Sequence, residues 1–145
     1  LNILKAEPTV NAEKIAAIGY CFGGGIVLHM ARFGVKDLDG VVSFHGSLKT
    51  GAPAEFGKVK AKVLVCHGAD DGFVPQEDID AFHKEMTDAG ADYKFVSYPG
   101  AKHSFTNPEA DEKAAKFNIP LAYDAEADSQ SWQDMQDFFK RVFAA

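Results

Sequence analysis

The chain has 145 residues, of which 46% are hydrophobic and 25% charged, and it carries a net charge of −6 at neutral pH. That balance is close to a globular average, so the chain can bury a core. The acidic excess excludes general binding to nucleic acid or to an anionic membrane surface, both of which need basic patches, and no apolar run approaches the ~20 residues that span a bilayer.

In chain order, residues 1–6 look like the end of a helix and residues 14–19 like a short apolar strand. Residues 22–33 then read as a helix, Gly40–Phe44 and 61–66 as strands, 77–89 as a helix and Tyr93–Tyr98 as a strand. Residues 128–143 close the chain as an amphipathic helix, with Trp132, Met135, Phe138, Phe139 and Val142 on one apolar stripe. Residues 49–60, which contain Gly51, Pro53 and Gly57, read as a loop within one domain. Alternating strands and helices predict an α/β fold with a mostly parallel sheet flanked by helices.

The junction between the first strand and its helix carries the chemistry. In Gly19-Tyr20-Cys21-Phe22-Gly23-Gly24 a reactive residue is flanked by glycines where a strand turns sharply into a helix, the pattern of a nucleophile elbow with cysteine in place of serine. Gly19 and Gly23 are expected to be small so that strand and helix can approach. The helix N-terminus favours a thiolate at Cys21, and the backbone N–H of Phe22 is placed as one oxyanion donor.

Two further segments complete the order nucleophile, acid, histidine found in α/β-hydrolases. The strand Val63-Leu64-Val65-Cys66 runs into the acidic turn Asp70-Asp71-Gly72-Phe73-Val74-Pro75, and the strand Tyr93–Tyr98 gives way to a loop carrying His103. Residues beyond the C-terminal ends of parallel strands stand where such sheets place their ligands.

The stretches GYCFGG, GADDGFVP and AKHSF resemble the dienelactone hydrolase (carboxymethylenebutenolidase-like) family over most of the chain. The resemblance implies an α/β-hydrolase fold and a triad of Cys21, Asp71 and His103 acting on an ester or lactone without metal or cofactor. Asp71 is preferred to Asp70 because Phe73-Val74-Pro75 fixes the register. In the dienelactone hydrolases proper an arginine closely follows the H-S-F motif, whereas Thr106 and Asn107 stand here, which favours a broader carboxylic-ester or lactone substrate. An α/β-hydrolase domain usually needs about 200 residues or more, and the family places several strands before the elbow. The expectation is therefore that residues 1–145 form the C-terminal portion of such a domain, associating with a preceding segment or a second chain.

The remaining reactive residues have plainer readings. Cys66 is expected in the core, and without a C-x-x-C motif the two cysteines give neither a redox pair nor a disulfide framework. A reducing, cytoplasmic setting fits that usage. His45, just after the strand Gly40–Phe44, could line the pocket or be a loop histidine held by backbone, and His67 with Cys66, Asp70 and Asp71 lacks zinc-type spacing. His29 and His83 read as surface or packing residues.

Overall fold

The computed structural model describes residues 1–144. After the short helix α1 (Asn2–Ala6), the chain runs β1 (Ala16–Tyr20), α2 (Phe22–Arg32), β2 (Gly40–Phe44), β3 (Lys62–Gly68), α3 (Gln76–Asp88), β4 (Tyr93–Tyr98), α4 (Ala110–Phe117) and α5 (Ala125–Phe143). The four strands form one sheet in the order β1-β2-β3-β4, every pair parallel.

Side chains of a strand alternate between faces, and here that alternation builds two cores. Val41, Val63 and Val65 point to one face, where Val27, Leu28 and Ala31 of α2 and Phe82 and Met86 of α3 cover them. Val42, Phe44, Leu64 and Cys66 point to the other, against Met135, Phe138 and Val142 of α5. The central strands are thus buried on both faces, as their continuous apolar runs require. Across the first face Arg32 makes a paired contact with Glu85, Nε to Oε1 at 2.8 Å and one terminal nitrogen to Oε2 at 2.9 Å, which ties α2 to α3.

β3 runs two residues further than read, to Gly68, and the ends of α2 and α3 shift by one residue; two larger boundary shifts and one added helix each have a local reason. The first strand begins at Ala16 because the Ile15 N–H donates to the Asp39 carboxylate and Lys14 closes a turn onto Asn11. Helix α5 starts at Ala125, earlier than expected, because Asp124 caps it by accepting from the N–H groups of Glu126 and Ala127. Helix α4 was not expected at all; it buries only Ala110 and ends on Asn118 in the left-handed conformation, so it shows almost no apolar stripe.

Gly19 has to be small, as expected, but Gly23 does not. A Cβ on Gly19 would collide with the Gly23 carbonyl, whereas one on Gly23 would meet nothing. The second close approach belongs to Gly24, whose Cβ would lie 2.6 Å from Ser43 Oγ and 2.9 Å from the Gly46 Cα. It is therefore Gly19 and Gly24 that let α2 lie against the ends of β1 and β2. Among the described residues no helix is long and apolar enough to cross a membrane.

Candidate active site

Every strand delivers one reactive side chain beyond its C-terminal end. Cys21 directly follows β1, His45 directly follows β2, Asp71 lies in the turn after β3, and His103 lies in the loop after β4. In a parallel sheet these ends converge on one crevice.

The positions are held by strained backbone and by hydrogen bonds. Cys21, His45 and Ser104 all have positive φ, at 50°, 39° and 63°. For residues other than glycine each such conformation costs on the order of 1–3 kcal/mol, and such strain gathers at functional sites. Cys21 caps α2, so Phe22 is the first helical residue and its N–H has no acceptor within the helix. The His103 loop is pinned by the tail, through the Ala122 N–H to the His103 carbonyl at 3.3 Å and the Asp124 N–H to the Phe105 carbonyl at 3.0 Å.

Asp71, not Asp70, meets the histidine. Asp70 is exposed, whereas Asp71 is buried and its Oδ2 lies 2.8 Å from His103 Nδ1, while Oδ1 accepts the Phe73 N–H at 2.9 Å. Phe73 also packs its ring edge-on against His103 at 5.0 Å. One donor atom from each of Cys21, His45 and His103 lies within 4.8 Å of the others. A thiolate and two imidazoles are also a donor set that a soft divalent cation could enter.

The charges of the site follow from this packing. The His103 contact, then the His45 contact, lower the Cys21 thiol to about 5 against the opposing effect of burial. Burial works against a charged His103, yet the Asp71 hydrogen bond and the neighbouring Cys21 overcome it and raise His103 to about 9. Asp71 is likewise opposed by burial but is held below the usual carboxylate range by His103 and the Phe73 N–H. These shifts favour a thiolate at Cys21 and an imidazolium at His103, backed by the Asp71 carboxylate.

His45 is a site residue that the sequence reading left open. It is 2% exposed, its Nδ1 lies 3.3 Å from Cys21 Sγ, and its Nε2 lies 2.8 Å from Thr106 Oγ1. With a proton on Nδ1 the ring donates to the thiolate and accepts from Thr106; with the proton on Nε2 it accepts the Cys21 N–H, also at 3.3 Å. Ser104 Oγ stands 3.5 Å from the same sulfur. The available signal was positional, since His45 follows β2 as Cys21 follows β1. Cys66, by contrast, is fully buried, and burial pushes its thiol up to about 12, which leaves it inert core. Cys66, His67, Asp70 and Asp71 do not form a metal-binding group among the described residues.

A parallel sheet covered by helices on both faces, with a cysteine at a tight, glycine-flanked strand-to-helix turn, is the α/β-hydrolase fold. The particular family follows from the whole sequence: residues 1–143 match the dienelactone hydrolase family, and the chain belongs to it. It is similar to an uncharacterized protein of Caenorhabditis elegans, with 38% identity over 99% of this chain and 90% of that protein. A carboxymethylenebutenolidase-like protein of Synechocystis is 28% identical over 92% of this chain and 52% of its own length. Among solved structures, a dienelactone hydrolase-like promiscuous phosphotriesterase from metagenomic libraries superposes with a TM-score of 0.85 at 39% identity, over 97% of this chain and 57% of that one. The chain spans about half the length of the curated carboxymethylenebutenolidase-like relatives it matches.

Proposed function

We propose that the protein hydrolyses carboxylic esters or lactones through a Cys21–His103–Asp71 triad and a thioester acyl-enzyme. The observation that carries this reading is the convergence of an elbow cysteine with a histidine whose far nitrogen is held at 2.8 Å by a buried carboxylate. The Cys21 thiolate attacks the carbonyl carbon, and the carbonyl oxygen takes up the negative charge facing the Phe22 N–H. As the tetrahedral intermediate collapses, His103 gives its proton to the departing alkoxide, which leaves as the alcohol, or stays attached when the substrate is a lactone. His103, now neutral, takes a proton from water, the hydroxide attacks the thioester, and the acid leaves as the Cys21 thiolate returns. Asp71 orients the ring and stabilises its charged form throughout.

The resting ion pair gives the test. Activity requires Cys21 deprotonated, which is lost as pH falls through about 5, and His103 protonated, which is lost as pH rises through about 9. The kcat/KM for an activated aryl ester is expected to plateau between those values as one coupled titration. A single rise centred near 7, the mark of a neutral histidine acting on a thiol, contradicts the ion-pair form of the mechanism.

The domain organisation is part of the same proposal. The outer edge of β1 has no strand partner among the described residues, and Ile18 and Tyr20 beside it are 43% and 39% exposed. Such an edge is a template for further pairing. We propose that strands preceding β1, or a second chain, complete the sheet there and supply the second oxyanion N–H. Amide hydrogen exchange in the working enzyme is expected to be slow at every residue of β1; fast exchange at alternate residues contradicts the pairing.

A further inference from the structure

The cavity above Cys21, about 510 Å³, has a one-sided electrostatic character. Its walls include Tyr20, whose ring stacks on Phe44 at 4.6 Å and 10°, and Trp132 from α5. One helical turn before Trp132 stands Asp128, whose Oδ2 accepts the Tyr123 hydroxyl at 3.1 Å and which forms no ion pair among the described residues. Among the described residues no lysine or arginine lines the cavity; His45, Thr106 and Asn107 are part of its lining. The Cys21, His103 and Asp71 group carries no net positive charge that would offset Asp128.

Aromatic faces attract cations and accept neutral groups, and an unpaired carboxylate in a partly desolvated cleft repels anions. From this we infer that Asp128 sorts ligands of the cavity by charge, so that the ester part facing Tyr20 and Trp132 is uncharged or cationic and never a carboxylate. The inference deepens the hydrolase reading by naming the substrate class, and it rests on that reading only for the word ester.

Trp132 is the single tryptophan of the chain, so its fluorescence reports occupancy without turnover. Titrating the protein with benzyltrimethylammonium and with 3-phenylpropionate is expected to give a Kd at least about tenfold lower for the cation. Asp128→Asn is expected to bring the two within about threefold, and Asp128→Glu to restore most of the gap. Because the readout is a ratio, a general loss of affinity in a variant cancels. Equal binding of the two ions, a ratio unchanged in Asp128→Asn, or no fluorescence response to either ligand at millimolar concentration overturns the assignment. A preserved charge ratio in a protein that turns over no ester overturns the hydrolase reading instead.

Discussion

Cys21→Ala is expected to lower kcat/KM for an activated ester by about 10⁴-fold or more, down to the rate that water and the remaining groups supply. The magnitude follows from the proposed covalent route: without the sulfur there is no thioester, and His103 can only assist direct attack by water. The fold should persist, because alanine keeps the Cβ and the positive φ that the elbow already imposes, and the packing beneath it comes from Gly19 and Gly24. Steady-state kinetics with a matched urea unfolding curve check both halves. Activity within tenfold of the wild type would remove Cys21 from the mechanism.

Asp71→Asn should cost nearly as much, about 10³–10⁴-fold in kcat. The substitution keeps the shape and can keep the Phe73 N–H contact through the amide oxygen. The amide nitrogen then faces His103 Nδ1 as a donor, which forces the ring proton onto the nitrogen that must serve Cys21. Loss of the carboxylate charge also lets His103 fall back from about 9 and lets the Cys21 thiol rise from about 5. The rate of Cys21 alkylation against pH should therefore shift to a higher midpoint in Asp71→Asn. An unshifted midpoint with normal turnover would mean that Asp71 only props the loop.

Much of this arrangement was legible because local chemistry and global fold agree. The strands Gly40–Phe44 and Tyr93–Tyr98 stand where their apolar runs place them, and the helix after Gly19 begins at Phe22 as the glycine-flanked motif requires. Asp71 was separated from Asp70 through the family resemblance, in which Phe73-Val74-Pro75 fixes the register, and the fold buries Asp71 beside His103 while Asp70 stays exposed. What escaped reading depends on contacts between distant segments. The place of His45 against Cys21 comes from the β1–β2 register, in which Tyr20 lies beside Phe44. The role of Gly24 comes from Ser43 and Gly46 approaching it, which no spacing within α2 reveals. Helix α4 buries so little that periodicity could not mark it.

If Cys21 carries the acyl group, that group can be trapped on it. The protein is exposed briefly to an activated acetyl ester, quenched in acid, and its intact mass measured beside that of Cys21→Ala. One acetyl adduct is expected, mapped to Cys21, absent from the variant and lost on return to neutral buffer, while buried Cys66 stays unmodified. Ester turnover with no adduct on Cys21, or an adduct that persists in Cys21→Ala, would contradict that expectation.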